Sequence, residues 1–364
     1  MKRISTLDGW RGLAIALVLF DHTQGGLSNG YLHSWTQTGQ HGVTIFFVLS
    51  GFLITSKLME GPIDLKRFFV RRFLRLMPVA WAYLIFVWVL ELLTGQHWIP
   101  AREIVSCVFF YRNYMGLCRG IYAGHYWSLS LEEQFYLVWP CLLLLVGIRK
   151  ARWFAVIGAL ACSTYRLMNW SRYSHQWVSF HTEVRADAIL VGCVLAILLA
   201  DPRFRPIATR WSRLAALPAC AVLLYCMARF PWLPPLSECL AIATLIAASV
   251  LHPQSIFARS LSFKALAWLG TVSYSVYVWQ EFFFAWRNSV PAELAGMCMM
   301  PLFALGSYYW IERPLTRLGH RITARPAEAE PMLEVANTNG AAAPPSSSSW
   351  GGAAQSSSVC AETL

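Results

Sequence analysis

Apolar runs of roughly 17 to 25 residues, the length a helix needs to cross a hydrocarbon core of about 30 Å, recur along the chain and constrain it more than any other feature. We place ten of them: 11–28, 43–59, 77–95, 133–148, 152–169, 186–200, 214–230, 236–252, 266–286 and 292–311. The expected class is all-α, a polytopic membrane protein of about ten transmembrane helices. Composition agrees. Of the 364 residues 56% are hydrophobic and only 13% charged, and the mean hydropathy is +0.45. Soluble domains carry about 25% charged residues, and a chain this apolar is neither disordered nor a coiled coil.

Basic residues set the expected orientation. With the N-terminus in the cytoplasm, the inside segments are 1–11, 57–76, 149–152, 201–213, 253–265 and 313 onward, and they hold 22 of the 30 lysines and arginines. The positive-inside rule thus puts both termini in the cytoplasm. It also accounts for the net charge of +11 without nucleic acid, for which no zinc-finger or RNP pattern exists. Met1-Lys2-Arg3 resembles the start of a signal peptide, but the run Leu13–Phe20 leads into Asp21-His22 rather than a small-residue cleavage site, so the first helix is expected to be retained. Segment 96–132 must begin and end on one face, and is expected to be an outer loop with a helical or re-entrant piece around Ile104–Tyr111. Cys107 and Cys118 fall in that loop, as two thiols or one disulfide. Residues 1–320 form the expected membrane domain. The Ala-, Pro-, Ser- and Gly-rich stretch 321–364 reads as a disordered cytoplasmic tail.

No phosphate loop, H-E-x-x-H or G-x-S-x-G elbow is present, and no His/Cys cluster suggests a metal. The chemistry must lie with ionisable residues at membrane depth, which are costly enough to mark function. Arg11 opens the first helix and His22 follows eleven residues later, about 16 Å along the axis. An imidazole there suits proton transfer, or is a buried side chain bonded to a backbone carbonyl. Arg67, Arg71 and Arg75 recur at four-residue spacing and offer guanidinium groups to a polyphosphorylated ligand, or to topology and anionic headgroups of the lipid bilayer. At the expected outer mouth of the fourth run, Ser130 and Glu133 fit a capping box, while Glu132 is free to orient His22. Arg185 and Asp187 suit an acceptor site or an intramembrane ion pair, and Glu281 is the remaining deep carboxylate.

The ordered set of motifs resembles the acyltransferase-3 family of integral-membrane O-acyltransferases. Arg11-Gly12 with His22, Phe46–Ile54, the pair Arg72 and Arg75, and Trp127–Tyr136 carry the likeness. It continues through Arg185-Ala186-Asp187 with Gly192, Leu269–Tyr277 and Tyr309–Pro314, together covering roughly residues 4 to 320. The sequence departs from the family at Gln280, where many members carry histidine. The resemblance implies transfer of an acyl group, usually acetyl, from cytosolic acyl-CoA to a hydroxyl of an extracytoplasmic or lipid-linked glycan or small acceptor. Acyl-CoA would be a co-substrate, with no permanently bound cofactor, and the enzyme would sit in the cytoplasmic (inner) membrane. In that scheme Arg72 and Arg75, with Arg71 beside them, hold the CoA phosphates. His22, Glu132 and Arg11 carry the chemistry, and Glu133, Arg185, Asp187 and Glu281 serve the acceptor side or the structure. The competing class is a proton-coupled transporter or flippase using the same buried groups.

Overall fold

The computed structural model describes residues 4–27, 38–115, 121–169, 177–228, 235–284 and 290–324, and among these no strand occurs. Helices α1 (Ser5–Leu27), α2 (Thr38–Leu58), α3 (Leu65–Thr94), α4 (Ala101–Val108) and α5 (Tyr126–Met168) come first. They are followed by α6 (Thr182–Ala200), α7 (Phe204–Ala228), α8 (Pro235–Leu251), α9 (Ile256–Leu261), α10 (Lys264–Phe284), α11 (Val290–Ser307) and α12 (Arg313–Ile322). A π-helical turn, Tyr308–Glu312, joins the last two. The ten apolar runs fall in this order on nine of these helices, 133–148 and 152–169 sharing α5. Among the described residues four stretches, Thr38–Leu58, Leu65–Thr94, Phe204–Ala228 and Leu294–Ile322, are long and apolar enough to cross a membrane. The chain is an all-α, multi-pass membrane protein. Cys118 and residues 325–364 of the expected tail lie outside the described residues; Cys107 is a buried free thiol.

Helix α5 is two arms that meet at Gly147, whose φ of 73° only glycine adopts at little cost. The arms run in opposite directions. Thr182 at the start of α6 donates to Gln134 of the first arm at 2.5 Å, and Asp187 one turn on pairs with Arg166 of the second arm at 4.0 Å. Both the beginning of one arm and the end of the other therefore stand beside the same end of α6.

Two helix pairs pack backbone to backbone through glycine. A Cβ on Gly51 of α2 would stand 1.9 Å from the Ile189 carbonyl oxygen of α6, and one on Gly192 of α6 would stand 2.1 Å from that of Val48. Gly12 of α1 and Gly270 of α10 make the second close approach. Small residues matter here because lipid offers no hydrophobic drive for association, so helices associate through close van der Waals packing.

The segment after α3 turns back into the protein. Gly95 caps α3 in the left-handed region, and the Glu91 carboxylate accepts from the Trp98 and Ile99 amides at 2.6 Å each. The following stretch carries a buried ion pair, Glu103 with Arg112 at 3.6 Å. It then descends alongside α3: Tyr83 donates to the Tyr122 carbonyl, and Tyr126 donates to the Ala80 carbonyl at 2.6 Å. Ala80 lies 14 residues before the end of α3, so α5 begins about 21 Å below that end. The expected surface loop is thus re-entrant, and the helical piece expected around Ile104–Tyr111 is α4 and the turn after it.

Candidate active site

Five helices wall a cleft that is partly open to the exterior. Arg11 enters it from α1, and Arg72 and Arg75, one turn apart on α3, enter from the side. The α5 wall is Ser128, Glu132 and Tyr136, which share a face because they are spaced by four. A chain of hydrogen bonds fixes that wall: Tyr136 donates to Ser50 Oγ at 3.1 Å, and Ser50 donates to Glu132 Oε1 at 2.6 Å. The Arg72 guanidinium lies over the Tyr136 ring, with its carbon 3.6 Å from the ring centroid. Its Nε is buried and has no hydrogen-bond partner among the described residues. The arginines have carboxylates close by: Glu133 lies in the field of Arg72, and Glu312 of the π turn in that of Arg75 and Arg11. Glu312 is itself held by Ser275, which donates at 2.7 Å. Paired charge is what makes three guanidinium groups tolerable at this depth.

At the far end of α1, His22 donates from Nδ1 to the Val18 carbonyl at 2.8 Å. That bond fixes the tautomer of a neutral imidazole, leaving Nε2 as the proton acceptor. His22 does not line the cleft. The Ser128–Tyr277 pair, bonded at 2.6 Å, forms the cleft wall nearest His125, and beyond it the Glu281 carboxylate accepts from the His125 amide at 2.6 Å and from its ring Nδ1.

Several expected residues stand elsewhere than the sequence suggested. Glu132 bonds Ser50 on the arginine side rather than orienting His22, because α5 starts deep and runs away from His22; the residue at the depth of Glu281 is His125, seven positions earlier. Ser130 and Glu133 form no capping box, since the helix begins at Tyr126, and Ser130 Oγ instead accepts from the Arg112 amide at 3.2 Å. Arg71 does not line the cleft: it donates to Thr323 Oγ1 at 2.6 Å and ties α3 to the end of α12. Asp187 pairs with Arg166, while Arg185 donates to Gln40 at 3.3 Å and lies over the Trp127 ring. With His41 and Glu238, paired at 2.8 Å, these buried groups tie α2, α5, α6 and α8 together. Gln280, at the position of the family's departure, is buried, and its Oε1 lacks a partner among the described residues.

Arginines and a deep histidine at two ends of one helix, with a Trp-Ser-x-Ser helix between them, call for comparison with known proteins. The family model described as "Acyltransferase domain" matches residues 4–313. The chain belongs to this acyltransferase family. The peptidoglycan O-acetyltransferase OatA of Listeria monocytogenes is 27% identical over 76% of this chain and 49% of its own length. YrhL of Bacillus subtilis, provisionally named a peptidoglycan O-acetyltransferase, is 29% identical over 89% of this chain and 56% of its own. A Staphylococcus aureus protein provisionally named an O-acetyltransferase is 27% identical over 92% and 61%. The chain therefore spans about half to three-fifths of the length of these relatives. No solved structure gives a significant match.

Sequence reasoning missed His125, Ser50 and Glu312 as parts of the site. Ser50 and Glu312 lay inside quoted family motifs but carried no signal of their own. His125 stood next to the Trp127–Tyr136 motif, and the assumption that this motif sat at a surface mouth concealed it.

Proposed function

We propose that this acyltransferase moves an acyl group, acetyl on the pattern of its relatives, from cytosolic acyl-CoA to a hydroxyl of an extracytoplasmic or lipid-linked glycan or small acceptor. The observation that carries this reading is the cleft itself: Arg11, Arg72 and Arg75 converge in it, and a buried guanidinium Nε of Arg72 lacks a partner among the described residues. Guanidinium groups bind phosphate bidentately, so this cleft suits the phosphates of a CoA thioester. Ten crossings with both termini in the cytoplasm put the cleft within reach of the cytosol and His22 towards the outer face of a cytoplasmic membrane.

Arg72 and Arg75 then hold the phosphates, and the flexible arm of the donor spans the roughly 16 Å along α1 from Arg11 to His22. The acceptor O–H gives its proton to His22 Nε2, the oxygen attacks the thioester carbonyl, and the C–S bond breaks to release the CoA thiolate. Nε2 can also serve as a transient acyl carrier, and both roles need the tautomer that the Val18 carbonyl selects. The test is transfer from radiolabelled acetyl-CoA in membranes containing the protein. Label in a glycan or small-acceptor fraction is expected. Its absence there with acetyl-CoA and with longer acyl-CoA donors overturns the reading.

A further inference from the structure

Glu281 stands between two histidines. Helices α1 and α10 run parallel in a fixed register: an added Cβ would bring Gly9 onto the Leu261 carbonyl just before α10, Gly12 onto that of Leu266, and Gly270 onto that of Asp8, all within 2.1 Å. Both helices rise 1.5 Å per residue, so His22, about 15 Å above Gly12, comes level with the last turns of α10, between about residues 274 and 284. The Phe284 ring indeed stands 6.2 Å from the imidazole, and Glu281 is three residues earlier on the same face. His22 and His125 are the two histidines whose fields act on the Glu281 carboxylate. On the other side, the His125 amide and ring Nδ1 both bond one carboxylate oxygen, so that the turn before α5 grips Glu281. His125 is buried among the rings of Tyr83, Tyr126 and Tyr277, and its Nε2 has no partner among the described residues. The other titratable groups facing this carboxylate include Tyr83 from α3, Cys107 from α4, Tyr126 from α5 and Tyr277 from its own helix. Asp21, beside His22, is turned toward Gly39 of α2.

We propose that Glu281, anchored by His125, is the positioning carboxylate of His22. This rests on the reading of His22 as the group that takes the acceptor proton. When the acceptor O–H breaks and its proton moves to Nε2, the ring becomes a cation in surroundings poor in water. Glu281 supplies the compensating charge without itself taking the proton, and the proton leaves with the CoA thiol once the C–S bond has broken. The two bonds from His125 keep the carboxylate from turning away. His22 thus draws its electrostatic partner from α10 and the re-entrant segment, neither of which is near it in sequence.

The test uses the full chain in lipid nanodiscs and the pH dependence of His22 carbethoxylation by diethyl pyrocarbonate, followed on its own peptide by mass spectrometry. The reagent attacks the neutral imidazole, so removing a nearby negative charge moves the midpoint to lower pH. In Glu281→Gln the expected movement is about one pH unit or more. In Glu281→Asp, which keeps the charge, the midpoint stays near that of the parent. Coenzyme A affinity, read in parallel, stays within threefold, and the acid limb of acetyl transfer moves with the carbethoxylation midpoint. An unchanged midpoint in a Glu281→Gln protein that still binds coenzyme A overturns the proposal. Should that variant fail to fold, His125→Gln carries the test, with a movement in the same direction expected and none refuting it. Parent-like turnover in His22→Gln would instead remove the catalytic reading of His22 and leave the pairing with Glu281 intact, so the two failures are distinguishable.

Discussion

Arg72 offers the sharpest quantitative test of the cleft. Its guanidinium carbon lies 3.6 Å from the Tyr136 ring centroid, the Tyr136 hydroxyl is locked through Ser50 to Glu132, and the buried Arg72 Nε has no partner among the described residues. A side chain held this way loses little entropy when it binds a phosphate, so its hydrogen bonds count nearly in full. Charge-assisted bonds contribute about 1.5–3 kcal/mol each, and a bidentate contact makes two. Arg72→Gln is therefore expected to weaken coenzyme A binding by about 3–6 kcal/mol, or roughly 10²–10⁴-fold. Arg72→Lys keeps the charge but gives up the fork and the guanidinium contact with the ring, and should fall between the two. The internal comparison is Arg71→Gln, which removes the same charge from the neighbouring position. Because Arg71 bonds Thr323 outside the cleft, its loss should change the affinity by less than about threefold. Isothermal titration of coenzyme A into each purified variant provides the numbers. Equal losses in Arg71→Gln and Arg72→Gln would mean that a diffuse basic surface, not the cleft, attracts the ligand, and the assignment of Arg72 would be wrong.

The same logic extends to three other positions. His22→Gln should keep coenzyme A affinity while lowering acyl transfer by about 10²–10⁴-fold, since glutamine can replace the bond to Val18 but cannot take a proton; transfer assays on membranes decide it. Gly270→Ala would place a Cβ 1.7 Å from the Asp8 carbonyl oxygen, so the α1–α10 contact must open; a loss of at least about 1–3 kcal/mol is expected as a lower thermal midpoint, and an unchanged midpoint would contradict the close approach. Reporter fusions after residues 65, 150, 208 and 320 should report the cytoplasm and those near 35, 115 and 175 the outside, so a cytoplasmic report at 115 would demand a further crossing in the re-entrant segment.

The sequence by itself determined the class of this protein and the order of its helices. Long apolar runs have one outcome in a membrane, because backbone groups deprived of water must bond within their own helix. It also marked Arg71 and Arg75, since four-residue spacing is a local property of a helix face and needs no knowledge of neighbours, while Arg11 and Arg72 were marked by their family motifs. Depth was not legible. Trp127–Tyr136 looks the same whether its helix starts at a surface or deep beside Ala80, and only the re-entrant course of the preceding segment decides between them. That course moved Glu132 to the arginine cleft and brought His125 to Glu281. The pairing of charges was equally hidden: Asp187 with Arg166, His41 with Glu238 and Ser275 with Glu312 join residues distant in the chain, and no periodicity links them. Local pattern follows from each helix alone, whereas which side chains meet depends on how the helices stack and where a connecting segment turns inward, and those are properties of the packed bundle.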